Sequence, residues 1–126
     1  MLLQICKAKL HRLTVTDADL NYVGSITLDQ SLLSAANIRP FEMVQITSLA
    51  TGVRWSTYVI PAPADSGTVC LNGSAARHFH PGDLIIVLAS VLCTDTEADR
   101  LVSRVVFVDG ENRVSQVAQF SQEKPV

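Results

Sequence analysis

Long apolar runs are what this sequence most plainly lacks. The longest, LIIVLASVLC at 84–93, has ten residues, about half of the roughly 20 that a spanning helix requires. The apolar part of the opening MLLQICKAKL is too short for the core of a signal peptide. Neither sign of charge is concentrated: charged residues make up 17% of the chain, the net charge is -2, and no basic patch marks a phosphate-binding face. Membrane and nucleic acid are therefore not expected partners. The three cysteines, Cys6, Cys70 and Cys93, are an odd number without CxxC spacing. That argues against a disulfide framework and a zinc knuckle and predicts reduced thiols in a cytoplasmic protein. His78 and His80 lack a nearby cluster of carboxylates or thiols, so no metal site is expected.

What is there is 126 residues, 48% of them hydrophobic. That is one domain, long enough to bury about two-thirds of its unfolded surface without staples. Short segments rich in β-formers alternate with turn signals. LQICKAKLHRLTVT (3–16), TVCL (68–71) and DLIIVLASVL (83–92) read as strands. The last of these is apolar at successive positions, which predicts burial on both faces. FEMVQITSL (41–49) and VRWSTYVIP (53–61) flank a hairpin loop, and SRVVFVDGENRVSQVAQF (103–120) turns at Asp109–Asn112. Two short helices are predicted, one over 29–38 ending at Asn37 and one over 94–101 opening with a capping pattern. NGSAAR (72–77) reads as a turn opening one helical turn, and the tail SQEKPV as loose. Many short strands and few helices predict a mainly β fold, a small barrel with helical inserts.

Three segments concentrate chemistry. Gly24-Ser25, in LNYVGSITLDQ (20–30), reads either as a bend in a strand or as a bond that cleaves itself. In the second reading the Ser25 hydroxyl attacks the Gly24 carbonyl and turns the amide into an ester. Elimination then leaves dehydroalanine, and hydrolysis yields ammonia and a pyruvoyl group, a ketone able to form Schiff bases with amines. Gly24 suits attack because no Cβ blocks the approach and unusual backbone angles are cheap there. In RWSTYVI (54–60), Arg54, Ser56 and Tyr58 share one strand face and Trp55 and Thr57 the other. That is an ordinary solvated face, or it is a carboxylate anchor (Arg54) with a proton donor (Tyr58). KLHR (9–12) places Lys9 and His11 on one face. NGSAAR offers successive backbone N–H groups, a plain turn or an anion cradle.

Taken together, KLHR, VTDADLNYVGS (15–25), RWSTYVI, NGSAA (72–76) and GDLIIVLAS (82–90), in this order and spacing, resemble the pyruvoyl-dependent aspartate 1-decarboxylases over nearly the whole chain. The resemblance implies a double-psi β-barrel and a homotetramer. It implies cleavage into 1–24 and 25–126, and conversion of L-aspartate to β-alanine and CO2 for pantothenate synthesis. The implied cofactor is the pyruvoyl group made from Ser25, with neither metal nor pyridoxal phosphate, and a maturation helper protein is a further candidate partner. Tyr58 matches the proton donor, and Thr57, Gly73, Ser74 and Ala75 match substrate-binding positions. Lys9, His11, Tyr22, Gly24, Arg54 and Asn72 match residues in or near the site. The departures are Val23 where relatives often carry an acid, Ser74 where a small apolar residue is common, and Trp55 for Phe.

The implied chemistry constrains the roles. The departing carboxylate of aspartate loses charge in the transition state, so a cation on it would favour the ground state. Arg54 is therefore expected on the carboxylate that stays. A regular strand cannot aim Arg54, Tyr58 and Thr57 into one pocket. Sites between subunits are the expected resolution, with a local bulge as the alternative.

Overall fold

Side-chain alternation decides the strands. A computed structural model, describing residues 1–125, contains nine: β1 (Leu3–Thr14), β2 (Asp17–Asp19), β3 (Ser25–Asp29), β4 (Met43–Ser48), β5 (Arg54–Ala62), β6 (Val69–Asn72), β7 (Leu84–Cys93), β8 (Ser103–Val108) and β9 (Val114–Phe120). In β5, Thr57 and Val59 are buried while Arg54 and Ser56 are exposed, as a period of two requires. The strands follow the order β2-β6-β3-β5-β4-β7-β1-β8-β9. Three pairings are parallel, β1 with β8, β2 with β6 and β3 with β5.

The sheet curls on itself where β1 runs out. Val15 donates its backbone N–H to Asp83 O at 2.9 Å, and Thr16 donates to Val69 O at 2.8 Å. One stretch of chain thereby ties β1, β6 and the entry to β7 together. A bulge at Arg12, whose φ is 59°, shifts the β1–β7 register between Leu10 and Leu13 and supplies the bend. Leu10, Leu13, Val15, Ile26, Leu28, Ile46, Leu71, Phe79, Ile85 and Val87 fill the interior. The architecture is mainly β with short helices, as expected, and is consistent with a double-psi barrel.

The expectation of a two-sided burial for β7 is corrected. Ile85, Val87 and Ala89 are fully buried, but Leu84, Ile86 and Leu88 are half-buried and Leu92 is 65% exposed. No second layer among the described residues covers that face. The tail also differs: Ser121 and Lys124 exchange backbone hydrogen bonds at 3.0 and 3.1 Å, closing a turn. Val126, part of the segment expected to be loose, lies outside the described residues.

Both predicted helices form, α1 (Gln30–Ala36) and α2 (Asp95–Arg100). α1 buries Leu32, Leu33 and Ala36 and ends at Asn37, which is left-handed with φ 57°, a conformation asparagine tolerates. α2 opens with a capping box between Thr94 and Glu97. NGSAAR becomes a 3-10 turn over Gly73–Arg77. Among the described residues no helix is long and apolar enough to cross a membrane.

Two buried polar side chains lock the connections. Asn112, 2% exposed, accepts from Thr14 N at 2.8 Å and donates to Thr14 O and Gly67 O at 2.8 and 3.0 Å. It fastens the β8–β9 turn onto β1. Asp29 caps α1, accepting from Ser31 N at 2.8 Å, Asp65 N at 3.0 Å and Gly67 N at 2.9 Å. Burial pushes its pKa up, but the three amides outweigh burial, and the net effect is a carboxyl held below its usual 3.8. The lowered pKa means Asp29 stabilises the fold above pH 3.8, and that contribution is lost as pH falls through the folded-state value. Asp29→Ala is expected to cost about 2–4 kcal/mol in chemical unfolding, from a lost cap and stranded amides. Asp29→Asn should flatten the acid limb of the stability–pH curve.

Candidate active site

The centre is built where β3 lies between β5 and β6. Ser25 pairs with Asn72 across the antiparallel β3–β6 ladder. On the other side Ile26 pairs with Val59 in parallel, so one step back Ser25 stands level with Tyr58 and Gly24 with Thr57. Ser25 is 1% exposed and Asn72 3%. The Ser25 hydroxyl donates to Val23 O at 2.9 Å and accepts from Asn72 Nδ2 at 2.9 Å. The hydroxyl is therefore held at two points beside the Gly24 carbonyl, its rotamer fixed.

Gly73 supplies the floor. Its φ is 74°, and a Cβ there would lie 2.7 Å from Gly24 Cα, 3.0 Å from Gly24 N and 3.3 Å from Tyr22 O. Only glycine permits this approach of two backbones. Gly24 itself is different: a Cβ built on it meets nothing within 4 Å, and its φ lies outside the left-handed range. The close backbone approach is borne one layer below it, at Gly73. Ala75 follows, buried, and Ser74 is exposed.

Val23, singled out for its missing acid, takes part through its carbonyl. The residue is 67% exposed. Two further residues were not anticipated. Asn72 Nδ2 also donates to Thr27 Oγ1 at 2.9 Å, and Cys70 Sγ donates to Asn72 Oδ1 at 3.3 Å. Alternation held the clue, since Thr27 shares a face with Ser25 on β3 and Cys70 with Asn72 on β6. Asp17, Asp19, Tyr22, Thr27, Cys70 and Asn72 line a cleft of about 380 Å³. Burial, then Asp17 and Asp19, push the Cys70 thiol above its usual 9.0, so it stays protonated.

The remaining candidates make contacts of their own. Tyr58 stacks on Phe41, ring centroids 5.8 Å apart. Arg54 is exposed and among the described residues forms no ion pair. Lys9 and His11 are on β1, three places from β5 in the strand order. Lys9 lines a separate apolar cleft with Ile5, Leu88 and Phe120. His11 meets Phe107 edge-on at 5.4 Å. Burial, then Arg12 and Lys9, lower its pKa below 6.5, which keeps it neutral at pH 7. One chain thus gathers Tyr22, Gly24, Ser25, Asn72 and Gly73, brings Thr57 and Tyr58 alongside, and leaves Arg54, Lys9 and His11 apart. Among the described residues no group of three His, Cys, Asp or Glu side chains is placed to hold a metal.

Comparison with known proteins bears on this centre. The family model for aspartate decarboxylase matches residues 1–115. An aspartate 1-decarboxylase of Moorella thermoacetica is 50% identical over 116 residues, covering 92% of this chain and 91% of that protein. Those of Pelotomaculum thermopropionicum and Clostridium botulinum are 46% and 48% identical, covering 99% and 95% of this chain and 95% and 97% of theirs. The chain belongs to the aspartate decarboxylase family.

Proposed function

We propose that the Gly24–Ser25 bond cleaves itself, that Ser25 becomes a pyruvoyl group, and that the processed protein converts L-aspartate to β-alanine and CO2 for pantothenate synthesis. The observation that carries this is the buried Ser25 hydroxyl, held by Val23 O and Asn72 Nδ2 beside the Gly24 carbonyl, in a chain of this family. The surroundings fit such a group. Gly73 leaves open the space that a Cβ would fill against Gly24, and Asn72 presents an amide donor. Once formed, a pyruvoyl group supplies a carbonyl that takes up the substrate amine and the electrons released with CO2.

The protein's own residues supply the rest. Tyr58 stands level with Ser25 and delivers the proton to the substrate carbon that lost CO2. Such acid catalysis is worth about 10²–10⁴ in rate. Thr57 and the backbone of Gly73, Ser74 and Ala75 orient the substrate. Arg54 binds the carboxylate that stays, since a cation on the departing one would stabilise the ground state. Arg54, Lys9 and His11 act in sites completed by a second copy. Exposed Phe41, Met43 and Leu92, at 74%, 61% and 65%, support a homotetramer with shared sites.

Warm incubation of the wild type should yield fragments 1–24 and 25–126 by mass, the larger with a blocked N-terminus. Ser25→Ala should stay in one piece and be inactive. A wild type that stays intact overturns the reading. Gly73→Ala should slow cleavage about tenfold or more, because it displaces Gly24 from the hydroxyl. Gly24→Ala, which sets a methyl beside the carbonyl that Ser25 attacks, should slow cleavage about threefold or more. Arg54→Lys should raise KM for aspartate about tenfold by loss of the bidentate fork. Unchanged binding and turnover would remove Arg54 from the site.

A further inference from the structure

The Asn72 carboxamide could in principle sit either way round, because its two ends are nearly the same shape. Two of its three neighbours, Ser25 and Cys70, distinguish them. Its Nδ2 hydrogens go to Ser25 Oγ and Thr27 Oγ1, both at 2.9 Å, and its Oδ1 accepts from Cys70 Sγ at 3.3 Å. Turned round, Oδ1 would need a proton from Ser25, whose hydroxyl already donates to Val23 O. The NH2 would then face a protonated thiol, a weak acceptor.

We infer that Thr27 and Cys70 are positioning residues for maturation, holding the Asn72 carboxamide with its N–H edge on Ser25 Oγ. This rests on the self-cleavage proposed above. In the acyl shift the bond from Ser25 Oγ to the Gly24 carbonyl carbon forms and the Gly24 C–Ser25 N bond breaks. The hydroxyl proton ends on the Ser25 nitrogen. In the elimination a proton leaves Ser25 Cα for solvent, the Cβ–Oγ bond breaks, and Oγ departs in the Gly24 carboxylate. Water then displaces the nitrogen as ammonia. Oγ gains negative charge in the elimination, so a fixed N–H directed at it stabilises that step, whereas a carbonyl oxygen there would oppose it.

The groups facing the thiol are Asp17 and Asp19 from β2, Tyr22 from the turn before β3, and Thr27 from β3. The two aspartates, after burial, keep the thiol protonated and donating. A thiolate would instead attract the NH2 and favour the turned amide.

The test follows cleavage by intact mass in purified full-length precursor. Cys70→Ala and Thr27→Val should each slow cleavage about threefold to tenfold, the value of one modest hydrogen bond. Cys70→Ser, which keeps a donor, should recover most of the rate. Above the thiol's ordinary 9.0, wild type should lose rate relative to Cys70→Ser, because a serine hydroxyl does not ionise there. Tyr22 and the aspartates are common to both proteins and cancel in that ratio. If the wild type cleaves but Cys70→Ala and Thr27→Val match it, this inference alone is overturned. It is equally overturned if Cys70→Ser is as slow as Cys70→Ala, or if the ratio stays flat with pH. A wild type that never cleaves overturns the parent reading and this one with it.

Discussion

The register of β3 between β5 and β6 is the constraint on which the rest depends. β3 is five residues long, Ser25–Asp29, and both ends are pinned by buried polar groups. At one end Asp29 accepts three hydrogen bonds from backbone amides. At the other Ser25 meets Asn72. A slip of one residue would turn Ile26 and Leu28, both fully buried, out of the core and Ser25 away from Asn72. The same hydrophobic alternation that fixes the strand therefore fixes the hydroxyl. No separate device is needed to aim Ser25, because its aim is a property of the sheet.

The glycines divide the remaining work. A close backbone approach is made where Gly73 passes under Gly24, and Gly73 alone bears its cost, through a left-handed φ and an absent Cβ. Gly24 is exposed and unstrained in φ. The bond after it is distinguished by its neighbours, which hold a hydroxyl beside the Gly24 carbonyl. Proximity of this kind accounts for a large share of intramolecular reactivity without ground-state strain.

Most of the fold was legible in the sequence because its signals are local. The 41–49 and 53–61 hairpin, the turn at Asp109–Asn112, the Asn37 stop and the Thr94–Glu97 box each rest on residues a few positions apart. The misreading of β7 came from treating a continuous apolar run as two-sided burial within one chain, when its second face is left half-exposed. In the site, the resemblance pointed to Ser25, Asn72 and Gly73, but Thr27 and Cys70 escaped. Their role depends on which strands neighbour β3, a non-local pairing of Thr27 with Cys70 that no window of sequence displays. The role of Gly73 over Gly24 was hidden for the same reason.

Charge bears on how the proposed reaction would be shared between chains. The cleft beside Asn72 carries Asp17 and Asp19 and no cation, a poor place for a substrate with two carboxylates. The cations proposed for the site are Arg54, on β5 beside β3, and Lys9, on β1. In the proposed assembly a neighbouring copy can bring its own Arg54 and Lys9 to the cleft, since Arg54 is exposed and without an ion pair among the described residues. On this reading assembly and catalysis are coupled by electrostatics.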